Sequence, residues 1–172
     1  MGMPVAQLKI VCKESIVDYS WKVEHKTLIS NFKFKNEREL QLWLAHYLLY
    51  GEKTVQCKEW LESDIKFINN KKIELEKTIE LGRADIVVNR YDLRHWGKGN
   101  SYVIECKAVL TIPNIAQALG QLWLYKRYFP GYIPVIAGGV DGELKFDSIH
   151  QRLKEANVCL WKIKTLTKKA AT

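Results

Sequence analysis

The sequence predicts an α/β fold: a mixed central β-sheet flanked by helices. Three observations predict it. Apolar residues recur at helical spacing from Leu40 to Leu48. Three strand-like runs follow one another between Ile73 and Ala108, and helix and strand patterns then alternate from Pro113 to Ile163. A meander followed by helical crossovers gives a mixed sheet with helices packed on it. With 172 residues, 47% of them hydrophobic, the chain suits one domain with a sizeable core.

The elements can be justified in order. The runs 8–12 and 28–34 read as strands or an extended arm, so residues 1–35 are set apart as a strand-rich N-terminal extension. Asn36 caps a helix whose first turn holds Glu37 and Glu39, suiting the positive end of its dipole. Leu40, Trp43, Leu44, Tyr47 and Leu48 form its apolar face, and Gly51 stops it. Residues 52–72 are ambiguous, with a short helix around 59–67 and a turn at Asn69-Asn70. Ile73, Leu75, Ile79 and Leu81 share one parity and read as a strand, which Gly82 breaks. Strands at 84–88 and 102–108 enclose a loop over 92–100. A helix starts at Pro113-Asn114 and runs to about Phe129, before Pro130-Gly131. A strand over 133–137, a helix over 148–156 and a strand over 158–163 complete a core spanning 36–165, and a basic tail occupies 166–172.

The formal net charge is +8 and the pI about 9.3. That balance favours polyanionic partners, because neutralising phosphates releases condensed counterions, although a solvated lysine surface has the same composition. No apolar run approaches the ~20 residues of a membrane span. The start lacks an apolar secretion signal, so a cytoplasmic protein without a membrane partner is expected. Cys12, Cys57, Cys106 and Cys159 contain no CxxC pair, which argues against a zinc or redox motif and for reduced core thiols. His25, His46, His95 and His150 are equally dispersed and read as surface or packing residues.

The chemistry centres on Val103-Ile104-Glu105-Cys106-Lys107. Side chains alternate faces along a strand, so Glu105 and Lys107 share one face of a segment that otherwise reads as buried. Burying charges costs several kcal/mol per ion unless they are paired or bind a metal. An ordinary Glu–Lys pair on a wet sheet face is the plain alternative. Gly82-Arg83-Ala84-Asp85 adds an acidic residue entering a β-branched strand just after a glycine turn. If the two strands are neighbours, Asp85 can approach Glu105, and a divalent cation would relieve their repulsion. Asp85 as a turn-forming residue is the alternative. Mg²⁺ suits such a site, since it accepts one or two carboxylates and keeps waters and a phosphate oxygen.

Ala84-Asp85 in one strand and Glu105-Cys106-Lys107 in the next resemble the signature of the PD-(D/E)XK, or restriction-endonuclease-like, nucleases, with Ala84 where the family usually has proline. Glu37-Arg38-Glu39-Leu40 resembles the first-helix motif of archaeal Holliday-junction resolvases, which maps a metal-site glutamate to Glu37, with Glu39 as fallback. Gln121-x-x-x-Tyr125 is similar to the QxxxY motif of RecB-type members, within a polar helix stripe of Asn114, Gln117, Gln121, Tyr125 and Tyr128, for which a solvated helix face, and for Tyr125 a packed aromatic, is the plain alternative. The resemblance spans roughly residues 36–140. It implies a restriction-endonuclease-like core of order αβββαβ plus a further αβ. It also implies Mg²⁺-dependent hydrolysis of DNA, with Mn²⁺ substituting. Asp85, Glu105 and the backbone carbonyl of Cys106 would hold the ion, Glu37 would bind a second ion or act through water, and Lys107 and Gln121 would serve catalysis. Arg83, Arg94, Lys98, Gln117, Tyr125, Lys126 and Arg127 are the expected DNA contacts, and a homodimer is the expected assembly. An inactive nucleic-acid-binding module of the same fold is the rival reading. Among nucleases, the junction-resolvase, homing or restriction, and RecB-like options stay open.

Overall fold

The computed structural model describes residues 23–51, 65–68, 70–90, 101–142 and 144–166. The elements are β1 (Lys26–Ser30), α1 (Glu37–Tyr50), β2 (Ile65–Ile68), β3 (Lys71–Ile79), β4 (Gly82–Arg90), β5 (Tyr102–Val109), α2 (Ile112–Tyr125), β6 (Ile133–Gly139), α3 (Asp147–Glu155) and β7 (Cys159–Thr165). The strands form one sheet in the order β1-β7-β6-β5-β4-β3-β2. The half from β1 to β5 is parallel, and the half from β5 to β2 is antiparallel. The chain is therefore α/β, with a seven-stranded mixed sheet and three helices among the described residues. No described helix is long and apolar enough to cross a membrane.

Strand alternation divides the core into two layers. Leu40, Trp43 and Leu44 of α1 pack with Ile73, Ile86, Ile104 and Val135 on one face. Ile115, Ala118 and Leu122 of α2 and Leu153 of α3 pack with Val87, Val103, Ile136 and Leu160 on the other. The consecutive residues Val103 and Ile104 thus serve opposite layers, as the two-residue strand repeat requires. Helix α1 starts where the Asn36 side chain accepts the Glu39 N–H at 2.9 Å, and it ends at Gly51, whose φ of 68° is left-handed.

Several expectations need correction. Lys26–Ser30 is an edge strand paired in parallel with β7, so this part of the N-terminal segment belongs to the sheet. The segment Ile65–Ile68, which overlaps the expected helix over 59–67, is a strand paired with β3. Residues 8–12, 52–64 and 92–100, with Cys12, Cys57 and His95, lie outside the described residues. The single parity expected for Ile73 to Leu81 fails after Glu76, whose φ of 50° interrupts the pleat. Ile73 and Leu75 join the α1 layer, Ile79 packs on the opposite one, and Leu81 is exposed. Helix α2 is capped by Thr111, whose hydroxyl accepts the Asn114 N–H at 3.2 Å, and it ends at Tyr125 rather than near Phe129. The Tyr128 N–H bonds the Tyr125 carbonyl at 2.9 Å and closes a turn there.

Gly138 and Gly139 let β6 lie unusually close to β5. A Cβ on Gly138 would stand 2.6 Å from the Lys107 carbonyl oxygen, and one on Gly139 would stand 2.5 Å from that of Ala108. The β5–β6 register also shifts between Lys107 and Val109, so glycines on β6 help set the backbone that carries Lys107. Chemical denaturation should show Gly138→Ala destabilised by about 1–3 kcal/mol, the usual cost of overpacking. A Cβ on Gly120, in α2, would meet nothing within 4 Å. Gly120→Ala should therefore gain about 0.5–1 kcal/mol from helix propensity.

Candidate active site

The site forms where two hydrogen-bonded strands part. The β4–β5 ladder runs Val88↔Tyr102, Val87↔Val103 and Ile86↔Ile104, and stops. One further step in this register sets Asp85 opposite Glu105. There the Asp85 carboxylate replaces a backbone acceptor, taking the Cys106 N–H at 2.7 Å. Hence the ladder stops without stranding this buried donor. Asp85, Glu105 and Lys107 are all buried, at 8%, 2% and 5% exposure. They lie along one cleft of about 430 Å³, lined also by Glu37, Arg83, Gln117, Gln121 and Tyr125.

Two helices complete it. The N-terminus of α1 brings Glu37 Oε1 to 3.9 Å from Lys107 Nζ. Glu39 is otherwise engaged, since its Oε2 accepts the Lys35 N–H at 2.7 Å while its own N–H is held by Asn36. Geometry therefore selects Glu37 over Glu39 as the cleft residue. From α2, Gln121 Oε1 accepts a hydrogen bond from Lys107 Nζ at 3.2 Å. Lys107 Nζ also lies 3.8 Å from Glu105 Oε1. The ammonium is thus held between a glutamine and two carboxylates.

The electrostatics are those of a crowded acid pair. Burial, and next the Asp85 charge, push Glu105 from its ordinary 4.5 up to about 9. Burial also raises the Asp85 carboxyl, against the Cys106 N–H bond that favours its anion. Burial, with both carboxylates beside it, raises the Cys106 thiol well above its ordinary value, so this side chain stays neutral. Glu105 Oε2 is buried with no hydrogen-bond partner. A carboxylate oxygen without a donor, beside a second carboxylate, fits a hard divalent cation. No group of three or more His, Cys, Asp or Glu forms a ready metal cage among the described residues. The pattern fits Mg²⁺, which keeps waters and needs only one or two carboxylates, and not a closed zinc site.

The other expected residues divide. Gln117 and Arg83 border the cleft and are exposed. Tyr125 requires correction as a DNA contact. It is buried at 3% exposure, and its hydroxyl donates to the Arg83 carbonyl at 2.8 Å, so it fastens β4 to α2. Burial, then the Glu105 and Asp85 charges, push its phenol up to about 12. Lys126 borders a separate, mainly apolar hollow with Trp123 and Phe129, away from the cleft. Arg127 is exposed beyond the end of α2. Arg94 and Lys98 lie outside the described residues. Sequence reasoning missed Glu76, which pairs with both Arg38 and Arg83. Its only sequence signal is an acidic residue between Leu75 and Lys77 in a strand pattern.

No protein-family model, curated protein or solved structure matches the chain.

A pH dependence follows from the acid pair. Glu105 has a folded pKa above its unfolded value, so the native state holds the extra proton. Stability is therefore greatest below the unfolded value and declines as pH rises from about 4.5 to about 9. Thermal melts in chelator should show this decline, and Glu105→Gln should flatten it. Added Mg²⁺ should restore stability mainly at the alkaline end, where the carboxylates are free to bind it.

Proposed function

We propose that this chain is a divalent-metal-dependent deoxyribonuclease with a site of the PD-(D/E)XK kind on a restriction-endonuclease-like core. One observation carries the reading: Asp85, Glu105 and Lys107 share a cleft at the point where β4 and β5 part. The order α1, β2–β5, α2, β6 contains the αβββαβ pattern that the resemblance implies, with β2 as an added edge strand before β3 and with α3 and β7 as the further αβ unit. The charge of +8 suits a polyanionic substrate.

Asp85, Glu105 and the carbonyl of Cys106 are the residues that would hold Mg²⁺ or Mn²⁺, with Glu37 joining directly or through water. A bound ion would supply Lewis-acid polarisation of the scissile phosphate and a more acidic water. Lys107, fixed by Gln121, is placed to orient the attacking water and to offset negative charge developing on the phosphate. Gln117 and Gln121, four residues apart on α2, line the cleft and would position a backbone phosphate or the water. Arg83 stands at its rim as a phosphate contact, a role that orients a duplex without reading its sequence. Cutting both strands takes two such sites, so a homodimer is the assembly proposed.

Supercoiled, linear, single-stranded and branched DNA, each incubated with and without Mg²⁺ or Mn²⁺, provide the test. Cleavage should require the ion. Asp85→Ala and Lys107→Ala should each lose roughly 10²-fold or more in rate, the scale of a positioned catalytic group, while giving native-like circular dichroism. Undiminished cleavage by both purified variants would rule this site out, and no cleavage of any substrate would favour a binding module.

A further inference from the structure

We propose that Glu76 acts as a positioning residue, holding Arg38 and Arg83 together as a two-arginine clamp for a DNA backbone phosphate at the cleft rim. The inference rests on the nuclease reading above and adds a binding element to it. Each oxygen of the Glu76 carboxylate takes one guanidinium. Oε1 lies 3.7 Å from Arg38 Nη1, and Oε2 lies 3.4 Å from Arg83 Nη1. The three residues come from separate elements: Arg38 from the first turn of α1, Glu76 from β3 and Arg83 from β4. Arg38 follows the cleft residue Glu37 in sequence, and Arg83 is itself a cleft residue.

The backbone at Glu76 gives a second reason. The β3–β4 ladder pairs Leu75 with Ile86 and Lys77 with Ala84, which sets Glu76 across from Asp85. A regular strand would then align three carboxylates, those of Glu76, Asp85 and Glu105, in one row across β3, β4 and β5. A third acid there would deepen the repulsion. Glu76 instead has a φ of 50°, a conformation that non-glycine residues rarely adopt within a strand. Its carboxylate ends on the two arginines.

Exposed ion pairs add little to stability, so stability alone is a poor reason for such a strained residue. Ordering two long side chains in advance does serve recognition, because their rotamer entropy is then not lost on binding. A guanidinium is a planar fork of five donors, and Arg83 spends one nitrogen on Glu76 while its side chain is 58% exposed. Arg38 also donates Nη1 to Gln41 Oε1 at 3.5 Å, which steadies it from within α1.

Glu76→Gln separates a clamp from mere electrostatics. It removes one acid, raising the formal charge above +8, so electrostatics alone predicts tighter DNA binding and cleavage at least as fast. The clamp predicts that single-turnover cleavage, measured with enzyme in excess, falls about 10-fold while binding holds or tightens, because a misplaced phosphate slows chemistry. In the second arm, duplex binding is measured in chelator over a range of salt. Arg38→Gln and Arg83→Gln should each reduce the slope of log K against log salt by about 0.9. Arg83→Lys should keep the slope and lose cleavage rate, since it keeps the charge but not the fork. Glu76→Gln cleaving at the wild-type rate, or unchanged slopes in both arginine variants, would overturn the clamp. The expected slope losses in the arginine variants, beside a wild type that never cleaves, would instead overturn the nuclease reading and leave the phosphate site standing.

Discussion

The structure depends on how two buried carboxylates are tolerated between β4 and β5. Asp85 and Glu105 face each other across the strands where the ladder would otherwise continue, almost out of water. Burial of two like charges is unfavourable unless something positive, or a proton, intervenes. The fold supplies partial relief. The Cys106 N–H serves Asp85, and the Lys107 ammonium stands near Glu105. The relief is incomplete, because Glu105 Oε2 has no partner and its carboxyl is driven to about 9. A protein selected for stability alone would replace this pair with apolar residues, since apolar groups of similar volume are often neutral or better.

The surrounding elements can be understood by what they do for that pair. Helix α1 packs on the Ile104 face, yet its N-terminus delivers Glu37 to Lys107. Helix α2 packs on the Val103 face and delivers Gln121 to the same ammonium. Lys107 is thus approached from both sides of the sheet. Below it, glycines on β6 allow the close backbone approach that sets its strand. Tyr125 ties the start of β4 to α2 through the Arg83 carbonyl. The position of each charged group is therefore set by packed helices and strands, which hold geometry more tightly than loops do.

Much of this arrangement was legible in the sequence, and the limits have physical causes. Strand alternation alone places Glu105 and Lys107 on one face, because the repeat of two is independent of tertiary context. The approach of Asp85 needs the pairing register, which no local pattern states. It was an expectation conditional on the two strands being neighbours. Glu37 and Glu39 were inseparable because both suit a helix start; only the cap, in which Glu39 accepts the Lys35 N–H, assigns them. Tyr125 could be an exposed member of a polar stripe or a packed aromatic, because helical spacing does not separate the two; its ring is core and its oxygen serves a backbone carbonyl. Glu76 was invisible because a left-handed residue inside a strand leaves the hydrophobic pattern around it intact. The edge strand β1 was set apart from the core because its partner β7 lies at the other end of the chain, and no local pattern states that pairing.

The charge inside the cleft bears on the choice between an enzyme and a plain DNA-binding module. Its lining holds three carboxylates, Glu37, Asp85 and Glu105, against two cations, Arg83 and Lys107. A surface that only grips phosphates has no use for acids at the bottom of its groove, because they repel the ligand at short range where screening is weakest. In a chain of net charge +8 this inversion of sign is local. A divalent cation held there, as proposed above, would offset the acids' charge. The same inversion explains why Lys107 is buried while the other lysines of β3 and β7 stand at least partly in water. Its ammonium is placed beside the acids, between Glu37, Glu105 and Gln121, and not at the exposed rim.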